Sequence, residues 1–149
     1  MTTESYDEFA ARMHRRFPEM LNGKYGGFDI GPGWWPIVES LCAHIQNHIT
    51  QTNGRRRLLI DSNPYNVTIP AEVPPVEVEQ IKEKFGGLRF YHVGGDSMID
   101  GMISMAEAWA AHTCEVCGQP GQARGGGWIK TLCDHHEGER QQRMKEYNL

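Results

Sequence analysis

No run of this sequence is apolar for the length a bilayer core demands, and none of its three segments is basic on balance, the densest positive run being Arg55-Arg56-Arg57. The first absence removes a membrane-spanning helix. The second follows from a formal net charge of −4: residues 1–50 carry four basic against six acidic side chains, residues 51–113 six against eight, and residues 114–149 five against five. Coating of nucleic acid by bulk charge is excluded, so any such contact has to be local. A phosphate-binding loop is missing too, because the glycine-rich stretch from Gly23 to Gly33 does not end in Gly-Lys-Ser/Thr. Cysteine is scarce, with four in 149 residues. The N-terminus is polar, with Glu4, Asp7 and Glu8 ahead of Arg12, and does not read as an export leader. The expectation is a cytoplasmic chain whose thiols stay reduced, where paired cysteine spacings indicate metal ahead of disulfides.

Three of the four cysteines have that spacing. Cys114-Glu-Val-Cys117-Gly118 is answered by Cys133-Asp-His-His136, a C-x2-C turn followed by a C-x2-H pair. Zinc takes four nitrogen and sulfur donors at tetrahedral angles, and this set supplies four. The expected ligands are Cys114, Cys117, Cys133 and His136, with Zn2+ in a structural role. If Cys133 opens the last helix, His136 shares its face, whereas His135 points about 100° away and is the reserve ligand. Cys42 lies on an apolar helical stripe and reads as a buried small hydrophobe.

The patterning indicates an α+β fold. Ser5-x-x-Glu8 is a capping box for a helix to about Phe17, with Tyr6, Phe9 and Met13 on one face. Pro36 starts a second helix with a stripe of Val38, Leu41, Ile45 and His48/Ile49, expected to stop at Asn53-Gly54. Leu58-Leu59-Ile60 and Tyr65 to Ile69 then read as short strands. A β-hairpin runs from about Val76 through a Gly86-Gly87 turn to Val93 in a small antiparallel sheet. Asp96 caps a core helix with Met98/Ile99, Met102/Ile103, Ala106 and Trp109/Ala110 on its stripe. The C-terminal turn, hairpin and helix form a treble-clef-like zinc unit. The expected division is a core over residues 1–112 with the zinc unit, 113–149, packed on it.

Two sets of side chains are candidates for binding. A two-residue Gly86-Gly87 turn pairs Phe85 with Leu88, Lys84 with Arg89 and Lys82 with Tyr91, so Lys82, Lys84, Arg89 and Tyr91 share one sheet face. Such a face suits a phosphate or an acidic protein surface, or it is simply solvated. Trp34 and Trp35, in the glycine-rich loop, are either interface anchors or packing onto the core.

The runs Lys82 to Tyr91 (KEKFGGLRFY), Thr113 to Gly121 (TCEVCGQPG) and Gly127 to Cys133 (GWIKTLC), with Gly33-Trp-Trp-Pro36 and Leu41-Cys42, resemble a family of small proteins encoded by tailed bacteriophages, prophages and bacteria. The resemblance covers roughly residues 28–136 and implies origin more than mechanism. It implies a cytoplasmic accessory protein, of phage or bacterial origin, that binds a host or phage protein. Three functions compete. One is a protein-binding modulator or inhibitor of a host system, defence systems included. Another is DNA or RNA binding through Lys82, Lys84, Arg89, Arg124 and Lys130, with Tyr91 and Trp128 as stacking platforms. The third is an HNH-type nuclease, which shares the zinc scaffold. That enzyme needs acid–base side chains on the hairpin between the cysteine pairs, and Gly118 to Leu132 contains no His, Asp or Glu.

Overall fold

The computed structural model describes residues 3–147. Helix α1 (Tyr6–Arg16) is opened by Ser5, whose hydroxyl accepts from the Glu8 amide, and buries Phe9 and Met13. A short strand β1 (Phe28–Asp29) and a 3-10 turn (Pro32–Trp34) lead into α2 (Trp35–Asp61). The hairpin β2 (Glu77–Lys84) and β3 (Gly87–Val93) precedes α3 (Ser97–Ala110). The C-terminal unit holds β4 (Gln122–Arg124), β5 (Lys130–Leu132) and α4 (Asp134–Glu146). This is the expected α+β architecture, with one change to its sheet. The order is β1-β2-β3, antiparallel between β2 and β3 but parallel between β1 and β2, so the sheet is mixed. No helix among the described residues is long and apolar enough to cross a membrane.

One continuous core joins α1, α2, α3 and the inner sheet face, with Phe9, Met13, Trp34, Val38, Ile45, Ile81, Leu88 and Ile99 fully enclosed. Cys42 lies within it, and burial pushes its thiol up to about 12, consistent with an inert small hydrophobe. Asp96 caps α3 as expected, and its second carboxylate oxygen meets His48 Nε2 at 2.8 Å, tying α2 to the start of α3.

The second helix runs past its expected stop. Gly54 in a helix interior costs about 1 kcal/mol, but tertiary bonds on either side of it offset that cost. Asn53 exchanges two hydrogen bonds with the Val73 backbone, at 2.8 and 3.0 Å, and Arg56 donates to the Pro70 carbonyl at 2.9 Å. The helix ends at Asp61, just ahead of Pro64. Leu58-Leu59-Ile60 is therefore its final turn, with Leu58 and Ile60 exposed, and the expected strand is absent. Residues 65–69 form no strand either. There the Asn63 side chain takes both the N–H and the C=O of Val67, the groups a neighbouring strand would have used.

The hairpin turn also moves. Its two central residues are Phe85 and Gly86, both in the left-handed region (φ 53° and 79°), and Lys84 pairs with Gly87. Lys82 faces Arg89 where Tyr91 was expected. A shift of two positions preserves the alternation, so Lys82, Lys84, Arg89 and Tyr91 still share a face. Phe85, expected to pair with Leu88, instead sits at the tip of the turn, where it is 73% exposed.

Candidate metal centre

The backbone after α3 folds into a tight knuckle. The Gly118 amide donates to the Cys114 carbonyl at 2.9 Å and the Cys114 amide to the Gln119 carbonyl at 2.7 Å. Gly118 adopts φ 81°, a conformation that glycine enters without the penalty of a Cβ. Opposite the knuckle, Cys133 caps α4, its sulfur accepting from the His136 amide at 3.4 Å.

This brings Cys114, Cys117, Cys133 and His136 together, their donor atoms all within 4.8 Å of one another. Cys117 Sγ lies 3.8 Å from Cys133 Sγ, too far for a disulfide of about 2.05 Å. His136 Nδ1 lies 3.2 Å from Cys133 Sγ and 3.6 Å from Cys114 Sγ. The four donors surround a common centre and could hold a metal ion. His135 turns away along the exposed side of α4 to Glu139, with Nε2 3.1 Å from its carboxylate, which leaves His136 as the histidine of the cluster.

The electrostatics favour thiolate at Cys114. Burial pushes the Cys114 thiol up, but amide N–H groups from Cys133, Cys117 and Val116 outweigh it and bring it down to about 6. Cys117 is raised, by burial and by the neighbouring Cys114 and Cys133 sulfurs. Crowded sulfur charge is what a cation between the sulfurs would relieve.

No protein-family model, curated protein or solved structure matches the chain.

The knuckle is bound to the core by residues the sequence did not single out. Glu115 is buried between the first two cysteines. Its carboxylate accepts from the Gly31 amide at 2.9 Å, and its carbonyl accepts from the Gly33 amide at 2.7 Å. Lys130 bridges Glu83 of β2, at 2.8 Å, to Glu115, at 3.5 Å. Thr131 donates its hydroxyl to the Gly86 carbonyl at 2.6 Å. Within the unit, Arg140 is buried and donates to the carbonyls of Arg124, Gly125 and Trp128, holding the triple-glycine loop.

The binding candidates separate on inspection. Trp34 is fully buried and its indole N–H donates to the Thr113 carbonyl at 2.8 Å, so it is packing and not an exposed anchor. Trp35 is half-buried and stacks on Phe9, the rings 4.6 Å apart and nearly parallel. The cationic set divides as well. Lys130 is paired as above, and Arg124 bonds Asp134 at 2.8 Å and the Leu132 carbonyl at 3.1 Å. Lys82 lies over the Tyr91 ring, 5.8 Å from its centroid, while Arg89 donates to the Leu88 carbonyl at 3.1 Å. Two strongly exposed aromatics stand at the hairpin tip: Phe85, which the sequence did not single out, and Trp128, the expected stacking platform, at 74% exposure. Together with Lys84 and Ile129 they line one open cleft of about 400 Å³.

Proposed function

We propose that zinc fills the Cys114, Cys117, Cys133 and His136 cluster as a structural ion, and that the protein acts by binding another protein. Tetrahedral zinc at ordinary bond lengths sets S···S edges of about 3.8 Å and S···N edges of about 3.5 Å. The separations of 3.8, 3.6 and 3.2 Å fit that frame. Three sulfurs and one imidazole complete the coordination from protein alone, which leaves no position for a substrate. When bound, the ion supplies charge neutralisation and cross-linking. Cys114 and Cys117 hold the knuckle, Cys133 and His136 hold α4, and Glu115 and Lys130 carry the linkage to the body.

The observation that carries the binding role is the tip shared by the hairpin and the zinc unit. Phe85 keeps a left-handed backbone that a bulky residue enters at a cost, yet its ring is exposed and contributes little to folding. Trp128 is presented beside it from a loop anchored by Arg140. Exposed aromatics on rigid supports are the usual anchors of a protein interface. The resemblance to small phage and bacterial proteins supplies the setting: a cytoplasmic accessory protein that modulates or inhibits a host protein. The second reading, DNA or RNA binding, is favoured by the shared face of Lys82, Lys84, Arg89 and Tyr91. Against it, Arg124 and Lys130 are tied into internal ion pairs.

Affinity capture from a bacterial lysate, with and without nuclease, separates the two. A discrete protein retained after nuclease treatment, and lost from a Phe85→Ala/Trp128→Ala bait, is the expected result. Recovery of nucleic acid alone, abolished by nuclease, overturns the protein-binding reading. Elemental analysis of the purified chain should give about one zinc.

A further inference from the structure

Helix α3 is apolar on two faces, and the fold uses one of them. Ile99, Ile103, Ala106 and Ala110 are buried against the body. Its two charged residues lie toward the sheet: Glu107 accepts from the Phe90 amide at 3.1 Å, and Asp100 lies 3.6 Å from His92 Nε2. At 100° per residue, Met98, Gly101, Met102, Met105, Ala108 and Trp109 fall within an arc of about 120° on the opposite side. That arc contains no charge, and Met98, Met105 and Trp109 are 58%, 75% and 53% exposed. A helix with two apolar faces is normally covered on both. The arc also continues into an apolar groove against α2, about 200 Å³ in volume and lined in part by Ile37 and Leu41.

We propose that this arc is covered by the same arc of a second copy, α3 packing antiparallel on α3 about a twofold axis through Met105. Two features select a second copy as the occupant. One is that the arc holds no charged side chain, so a self-complementary twofold contact on it juxtaposes no like charges despite the chain's net −4. The other is size matching about the axis. In an antiparallel pair centred on Met105, each Trp109 lies opposite the partner's Gly101, the bulkiest side chain of the arc against its smallest. Gly101 has no internal reason to be glycine: a Cβ there meets nothing within 4 Å, and its φ is not in the left-handed region. Mid-helix glycine weakens a helix, and close approach by a neighbouring helix is what it permits. Ser40 and His44 of α2 rim the groove with polar groups.

Light scattering coupled to size exclusion, on the zinc-loaded chain at about 50 μM, reads the mass directly. The wild type should be a dimer. Met105→Glu places two like charges on the axis and should raise the dissociation constant roughly a hundredfold or more. Gly101→Leu gives a second, independent reading, because it favours the helix in each chain while colliding with the partner's Trp109. It should melt no lower than wild type as a monomer, yet fail to dimerise. Ser104→Glu, at the flank of the arc, should leave the dimer intact. A monomeric wild type overturns the proposal and assigns the arc to a different partner. So does a dimer that survives both Met105→Glu and Gly101→Leu, since the contact then lies elsewhere.

Discussion

Replacing Gly33 by alanine adds one methyl group, and the structure places that methyl against the metal knuckle. A Cβ there would stand 2.1 Å from the Cys114 carbonyl oxygen and 2.6 Å from the Gly118 nitrogen, both backbone atoms of the turn that carries two ligands. The φ of Gly33 is not left-handed, so close approach is the whole effect. The knuckle has to lift from the core. That breaks the 2.7 Å bond from the Gly33 amide to the Glu115 carbonyl and the 2.8 Å bond from the Trp34 indole to the Thr113 carbonyl. A backbone hydrogen bond is worth about 1 kcal/mol net, and a buried donor left unpaired costs about 1–3, giving about 3 kcal/mol in sum. In a domain of this size each kcal/mol moves Tm by about 2–4 °C, so Gly33→Ala should melt roughly 6–12 °C below wild type. Gly54→Ala is the control: it lies inside α2, a Cβ there meets nothing within 4 Å, and its Tm should rise. Circular dichroism melts of the metal-loaded proteins, with a chromophoric chelator reporting release, measure both. Gly33→Ala melting within about 2 °C of wild type, with its metal retained, would refute the idea that the knuckle is seated on this glycine.

Cys114→Ser removes the most buried ligand, and metal content measured by elemental analysis should fall to a small fraction of wild type, with backbone amide exchange rising across the C-terminal unit. Unchanged metal content and melting temperature would contradict the ligand assignment. Burial raises the Glu83 carboxyl, but Lys130 and the Gly86 amide outweigh it and hold it below its ordinary value. Its contribution is therefore full above the unfolded value of about 4.3 and lost as pH falls through the folded one. Glu83→Gln should cost about 1 kcal/mol in urea unfolding at pH 7, a difference that closes on acidification. Phe85→Asn puts a residue suited to the left-handed turn at the tip and should stabilise the chain by about 0.5–1 kcal/mol while weakening capture of the protein partner. A destabilised Phe85→Asn would show that the phenyl ring serves the fold.

The four-residue cluster was legible because metal chemistry acts through spacing: two short motifs name four donors, and the N-cap geometry of Cys133 brings His136 and not His135 to the sulfurs. The helix starts at Ser5 and Asp96 were legible for a similar reason, each being a side chain bonding an amide three residues on. The end of α2 was not. Asn53-Gly54 is a sound local stop signal, overruled by bonds to Val73 and Pro70 that depend on where a distant crossover lies. The hairpin register failed by two positions because Gly86-Gly87 and Phe85-Gly86 both offer a two-residue turn. Contacts from the zinc unit favour the latter: Thr131 holds the Gly86 carbonyl, and Ile129 leaves only 3.0 Å to any Cβ at Gly86. The long-range partnerships of Glu115, Lys130 and Arg140 have no periodicity and leave no mark in the sequence.

Those partnerships also change how the boundary between residues 112 and 113 should be understood. Chain order puts it where α3 hands over to the knuckle, but the bonds cross it in three places: Trp34 and Gly33 to Thr113 and Glu115, Glu83 to Lys130, and Gly86 to Thr131. A small unit of knuckle, hairpin and one helix has little core of its own, so with zinc bound as proposed its order would depend on the metal. Through these three contacts the glycine loop and the hairpin tip would come to depend on it as well. The left-handed Phe85 is the sharpest case, since its turn is braced by Glu83 on one side and by Thr131 on the other. Loss of the ion should therefore relax the Phe85–Trp128 cleft before it unfolds the α2–α3 pair, which bonds to itself through His48 and Asp96. Chelation followed by amide exchange checks the order: protection lost first in residues 84–87 and 113–134, and last in α2 and α3, is the expected sequence. Simultaneous loss in all segments would show that the metal stabilises the whole chain as one cooperative unit.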